Sequence, residues 1–239
     1  MTDDHDRTIT KTITSCPASS TTTSSKSHTK TTSSKPVPTH SIKSCYKKAA
    51  LTQYWVPKEG DKDMLNDGTI VTLTGSKKKK LVTDDGKMIA KVSKTTYEKF
   101  QMEGTGLLES GILVNLASSD DTFEKVDRKE APYGLGNTDG STLTPWISVA
   151  SNDLKHGTIL HIKELDGVEL PNGRVHNGCV RVDDEGWSFG GCQLDWFVLQ
   201  FSAYQTLVDL VPEKVTVTAQ DCEIKNYVTE QDKNWAVLH

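Results

Sequence analysis

His176-Asn-Gly-Cys-Val-Arg-Val-Asp-Asp-Glu-Gly-Trp-Ser-Phe-Gly-Gly-Cys-Gln-Leu-Asp-Trp-Phe197 sets two cysteines, four glycines and three aspartates among strand-forming and aromatic residues. Strand-like runs stand at both ends, Cys179-Val-Arg-Val-Asp183 and Leu194-Asp-Trp-Phe-Val-Leu199, the second readable as strand or short helix. A Gly-rich turn joins them. In a regular strand Asp183 and Asp184 point to opposite faces, so one would face a cleft and the other a wall. Either these acids cap turns with their side-chain oxygens, or they line a site.

Working outward, the same grammar recurs. Thr69–Thr74, Lys87–Val92, Gly111–Leu116, Thr158–Lys163 and Lys214–Thr218 are rich in β-branched residues. Asp67-Gly68 and Asp85-Gly86 are hairpin dipeptides. Only 95–100 and 202–211 suggest short helices. Many short strands with frequent turns in one domain predict a mainly β fold closed into a small barrel. Upstream the composition changes. More than half of residues 8–41 are Ser or Thr, too little apolar surface to offset ordering entropy. Residues 1–44 are therefore expected to form a disordered tail or stalk, and 45–239 the barrel domain with an N-terminal β extension.

Bulk properties narrow the function. A net charge of −4 lacks the Lys/Arg excess of a nucleic-acid surface. The one basic run, Lys77-Lys78-Lys79-Lys80, reads as a solvated hairpin tip. No stretch approaches the ~20 apolar residues of a membrane span. The acidic start, Met1-Thr-Asp-Asp-His-Asp-Arg, has no apolar core, so an exported form would have lost its leader or use another route. Five cysteines and no Cys-x-x-Cys argue against structural zinc, and neither a metal nor a cofactor is expected. Cys179 and Cys192 stand close enough to clip the central motif, and Cys45 and Cys222 bracket the folded part. Cys16 is then left over. Buried free thiols are the alternative to this disulfide reading, which implies an oxidising compartment.

Asp184-x-Gly186, Phe189, Gly191 and Leu194-Asp195 share their offsets with the Asp-Thr-Gly-Gly-Ala-Ile-Lys-Gly-x-x-Ile-Asp stretch of the three-aspartate (3D) domain. The central motif resembles that family, a double-psi β-barrel found in membrane-bound lytic transglycosylase A and related cell-wall proteins. The block Leu143–Ile162 is similar to a second family segment and puts Asp153 near its first aspartate. Met102-Glu-Gly-Thr-Gly-Leu-Leu and Asp166–Cys179 resemble further family blocks, and the likeness spans about Tyr46 to Val217. Two features depart from the pattern: the family's Lys is absent from Trp187-Ser-Phe-Gly190, and Val56 follows Tyr54-Trp55 where family 45 endoglucanases, which share the barrel, carry an Asp.

The resemblance implies a six-stranded double-psi barrel with extra strands and short helices. It also implies lytic transglycosylase-like cleavage of peptidoglycan or a related β-1,4-linked glycan, by an extracellular or wall-associated protein expected to be monomeric. The alternatives are a β-1,4-glucan hydrolase and a non-catalytic, expansin-like binding module. By family offset Asp184 is the general acid/base and Asp195 its structural or pKa-setting neighbour. Glu103 and Asp153 are candidates for a second carboxylate. Tyr54, Trp55, His176 and Trp187 are candidate substrate contacts, and Trp146 and Trp196 are weighed as stacking platforms against a core role. Gly186, Gly190 and Gly191 are read as turn or close-approach residues.

Overall fold

The computed structural model describes residues 39–136, 140–186 and 189–238. The expected tail up to residue 38 and the candidate Trp187 lie outside them. In chain order the elements are β1 (Thr39–His40), β2 (Ala49–Tyr54), β3 (Lys62–Met64), β4 (Ile70–Thr72), β5 (Lys79–Val82), β6 (Met88–Val92) and α1 (Lys94–Glu103). Then come β7 (Thr105–Leu107), β8 (Leu113–Leu116), β9 (Phe123–Lys125), β10 (Ser148–Ala150), β11 (Ile159–Glu169) and β12 (Val175–Asp184). The chain finishes with β13 (Gln193–Phe197), α2 (Phe201–Leu207), β14 (Lys214–Val215), β15 (Val217–Gln220) and α3 (Glu230–Trp235).

One sheet of eight strands, in the order β1-β15-β11-β12-β10-β13-β2-β14, forms the main body. Its ends are nearly joined by one stretch of chain, because β14 pairs with β2 while β15, two residues on, pairs with β11. The result is a barrel-like sheet that mixes antiparallel pairs with two parallel ones, β10–β12 and β2–β13. Counting β14 and β15 separately gives seven strands in the ring, one more than expected. The break falls at Thr216, whose N–H and hydroxyl both donate to the Glu164 carboxylate, at 2.7 and 2.9 Å.

Alternation explains the core. Leu51, Val149, Leu160, Ile162, Val180, Val182, Leu194, Trp196, Val215 and Val217 are all buried in one apolar cluster. Trp146 and Trp196 are fully buried within it, out of reach of a sugar, which corrects the platform reading for both. A second, smaller core (Leu81, Val92, Tyr97, Phe100, Leu108, Val114, Phe123) joins α1 to the strands around it.

Local signals placed several elements. Gly68 and Gly86 take φ of +84° and +78° in the β3–β4 and β5–β6 turns, as the Asp-Gly dipeptides require. The lysine run is not wholly a turn, since Lys79 and Lys80 are exposed residues of β5. α1 begins at Ser93, whose hydroxyl accepts the Thr96 N–H, and ends at Gly104 with φ +71°. β11 and β12 run to 11 and 10 residues, about twice the lengths read from sequence. α3 has no apolar stripe to announce it; its capping box joins Thr229 and Asp232.

The four cysteines pair, but with exchanged partners: Cys45–Cys192 and Cys179–Cys222. Parallel pairing is the reason for the first, because β2 and β13 run side by side and bring the residues preceding each strand together. For the second, Cys179 lies opposite His161 on β11, and Cys222 follows β15 on that strand's other side. Each bond ties non-adjacent chain segments of the barrel rather than clipping one turn.

Candidate active site

A cleft of about 580 Å³ opens against the strip of sheet formed by β12, β10, β13 and β2. Its far lining comes from the end of α1 and from β8. Five sequence candidates meet there: Tyr54, Trp55, Glu103, Asp184 and Asp195.

The two aspartates are placed by register. Ala150 pairs with Asp184 on one side and with Asp195 on the other. Directly opposed residues share a sheet face, so both acids flank one small side chain, with Cα atoms about two strand spacings or ~10 Å apart. Strict alternation would have put Asp184 on the same face as Val182. Instead the register slips between Val149 and Ala150, leaving Asp183 as an extra residue and turning Asp184 to the cleft. A β-bulge is a common device for re-aiming a side chain.

Asp183 is consumed by structure. Fully buried, it accepts Arg181 Nε at 2.5 Å, Arg181 Nη2 at 3.1 Å and Ser148 Oγ at 2.5 Å. Asp184 is half-buried and accepts the Tyr54 hydroxyl at 3.0 Å and the Glu185 N–H at 2.8 Å. Burial, and then the charges of Asp184 and Asp195, hold the Tyr54 phenol well above its ordinary pKa. It therefore remains a proton donor to Asp184.

Asp195 differs in kind. Its Oδ1 is sealed from solvent and has no hydrogen-bond partner among the described residues. Burial pushes its carboxyl up to about 7; a Thr52 hydrogen bond works against this, and the charges of Glu103 and Asp184 add to it.

Glu103 reaches the cleft because Gly104 stops α1 directly after it. Behind it lies a buried ion cluster that sequence reading missed. Lys99 Nζ stands 2.6 Å from Glu103 Oε1 and 3.2 Å from Asp63 Oδ1, and donates to the Met64 carbonyl at 2.8 Å. The Lys99–Glu103 spacing, one helical turn, was the available signal. Burial raises both carboxyls, with Lys99 opposing. Trp55 forms wall rather than platform. It is 8% exposed, packs on Phe201 and Tyr204, donates Nε1 to Asp63 and holds Lys99 Nζ 5.2 Å from its ring centroid.

Asp153 and His176 lie outside the cleft lining. Asp153 accepts the Tyr46 hydroxyl, the Lys43 ammonium at 2.9 Å and the Cys192 N–H at 3.2 Å, fastening the loop before β13. A side chain at Gly191 would strike Asp153 Oδ2 at 2.5 Å, so that glycine serves close approach. Gly186 does the same for the Phe189 ring, whereas a Cβ at Gly190 would meet nothing.

His176 is a core residue rather than a ligand contact. It is stacked on Tyr227, with Nε2 2.8 Å from the Trp146 carbonyl oxygen, and burial lowers its pKa to about 4. The folded state resists protonating it, so its contribution is complete above the unfolded value of about 6.5 and is lost as pH falls toward 4. Melting temperature should drop over that interval, and His176→Gln should flatten this component without changing substrate affinity.

No protein-family model matches the sequence, and no curated protein matches it. Among solved structures the chain is similar to MltA from E. coli, at 13% identity over 74% of this chain and 73% of that one, with a TM-score of 0.47. E. coli MltA with bound chitohexaose is similar at 12% identity, over 75% and 73%, TM-score 0.47. The membrane-bound lytic murein transglycosylase from Agrobacterium tumefaciens follows at 10% identity, over 71% and 72%, TM-score 0.44. Likeness at this level assigns no activity to this chain.

Proposed function

We propose that this protein cleaves the backbone of a β-1,4-linked cell-wall glycan by lytic transglycosylase-like chemistry, with Asp195 rather than Asp184 as the general acid/base. The observation that carries this is the Asp195 carboxyl on the wall of a cleft of sugar-binding size, with Oδ1 sealed from solvent and burial pushing its pKa up to about 7. Cleavage needs a proton delivered to the leaving oxygen, and an acid with a pKa near the working pH does this best.

In this reading Asp195 gives its proton to the glycosidic oxygen as the C1–O bond breaks. The resulting carboxylate takes the proton of the sugar's own 6-hydroxyl, whose oxygen bonds to C1 and closes an anhydro ring. Water is not consumed, and one acid/base suffices. Asp184, which accepts the Tyr54 hydroxyl, is the neighbouring carboxyl that faces the positive charge developing at C1.

The absence of an acid at Val56 agrees with this one-carboxylate scheme. Hydrolysis is the second reading, favoured by Glu103 in the same cleft, which could deprotonate a water. A binding module without catalysis is the third.

The barrel's finer identity belongs to the same proposal. If 214–220 is taken as one pass, six chain segments close the ring, with the two parallel pairs expected of a double-psi arrangement. The two disulfides fit an oxidising, extracytoplasmic compartment. Among the described residues no helix is long and apolar enough to cross a membrane.

Mass spectrometry of products from purified peptidoglycan and β-glucans tests the activity. Anhydro ends are expected; reducing ends would assign hydrolysis, and no product from any polymer would leave the binding module.

A further inference from the structure

Among the described residues, four aromatic side chains line the cleft: Tyr54, Trp55, Phe189 and Phe197. Trp55 and Phe197 are buried members of the main apolar core. Tyr54 packs on Phe197 with ring centroids 5.2 Å apart and spends its hydroxyl on Asp184. Phe189 differs from all three. It is half-buried, joins neither apolar cluster, and sits in the turn between β12 and β13. Core packing therefore does not account for an apolar ring at this place.

Two neighbours fix that ring instead. Gly186 is its seat, because a Cβ there would stand 2.0 Å from the ring edge and would displace it. Asn152, on the loop after β10, spans the turn: its Oδ1 accepts the Gly186 N–H at 2.7 Å and its Nδ2 donates to the Phe189 carbonyl. The residues on either side of Asn152 fasten the ends of the same turn. The Ser151 N–H donates to the Asp184 carbonyl at 3.0 Å, and Asp153 accepts the Cys192 N–H at 3.2 Å. Gly186, Gly190 and Gly191 make this turn costly to order. Bonds from 151–153 offset that cost from outside it, so the ring is already in place before any ligand arrives.

We infer that Phe189 is the platform on which a pyranose of the glycan stacks, and that Asn152 is the positioning residue that holds it there. This rests on the proposed glycan-cleaving reading and names the contact by which the cleft grips its substrate. A β-linked pyranose presents an apolar face of C–H groups, which a flat ring can cover. Ligand clefts combine such apolar surfaces with a few placed polar groups, and a preordered one loses little freedom on binding.

Chitohexaose and cellohexaose are suitable probes. Their binding to the full chain is measured by calorimetry, products are followed by mass spectrometry, and each variant's melting temperature reports whether the fold is kept. Phe189→Ala should weaken binding about tenfold, from the apolar contact of one ring face, while Phe189→Tyr, which keeps that face, binds as the wild type does. Gly186→Ala keeps the ring but fills its seat, and should match Phe189→Ala. Asn152→Ala should lose about threefold through a less ordered ring, and nothing further once Phe189 is already Ala.

Unchanged binding in Phe189→Ala or in Gly186→Ala overturns the platform; products still formed at the wild-type rate would then leave glycan cleavage standing. An Asn152→Ala loss that persists in full in the Phe189→Ala background overturns the positioning role. Wild-type protein that binds neither hexasaccharide also overturns the inference. Binding that depends on Phe189, with no product from any glycan, supports the platform and overturns the cleaving reading.

Discussion

Asp195→Asn should lower glycan cleavage by roughly 100-fold to 10,000-fold, the range for loss of a general acid/base, while substrate still binds. The fold should survive, because the amide has the shape of the carboxyl and keeps Oδ1, which makes no hydrogen bond among the described residues. The wild-type pH profile carries the sharper test. Asp195 must be protonated to act as an acid, so activity should fall through an apparent pKa near 7 on the alkaline side. Glu103→Gln removes one of the charges that hold this value up and should move the limb to lower pH.

Stability must follow the same proton. The folded carboxyl titrates near 7 and an unfolded aspartate near 3.9, so the folded state binds the proton more tightly. Wild-type stability is therefore greatest below pH 4 on this account and declines as pH rises toward 7. Asp195→Asn lacks that decline and should be the more stable protein at pH 8, by up to about 4 kcal/mol. An alkaline limb unchanged in Glu103→Gln, or cleavage surviving in Asp195→Asn, would remove Asp195 from the chemistry.

The largest expected effect on stability comes from Lys99→Met. In the wild type, one buried ammonium serves two carboxylates, Asp63 and Glu103, and a backbone carbonyl. Truncation leaves the carboxylates without a cation, and breaking a buried pair this way costs about 3–5 kcal/mol. The Trp55 ring also loses its cation, and with it part of the wall of the cleft.

The sign of the pH dependence is fixed. Burial already raises both carboxyls with Lys99 present, and removing it raises them further. The variant's folded state then favours protonated acids, so its deficit is smallest at acidic pH and widens as pH rises. Denaturant melts at pH 4.5 and pH 8 measure this. A gap that does not change with pH would mean that Lys99 acts through packing alone. Adding Asp63→Asn and Glu103→Gln should restore much of the loss, since no buried charge is then stranded.

These two residues mark where sequence reading succeeds and where it stops. The central strands, both Asp-Gly hairpins, α1, and the convergence of Tyr54, Trp55, Glu103, Asp184 and Asp195 were all legible, because alternation, turn chemistry and motif offsets are local. Lys99 was not. On a short helix it reads as a solvated charge, and nothing local reveals that Asp63, far back in the chain, meets it in the interior. His176 and Asp153 failed in the opposite direction. Both look like site residues by neighbourhood in sequence, yet burial against Tyr227 and the contacts to Tyr46, Lys43 and Cys192 make them structural.

What the sequence by itself determined is the strand grammar, the acid-rich motif and the set of four cysteines that pair. Tertiary structure alone decided which cysteines meet, since parallel pairing of β2 with β13 overrides proximity along the chain. It also decided which aspartate faces the cleft and which titrates near neutrality. A one-residue bulge opposite Ala150 turns Asp184 outward, and the sealing of a single oxygen sets Asp195 apart. Register and desolvation are sums over distant chain segments, and no local spacing encodes them.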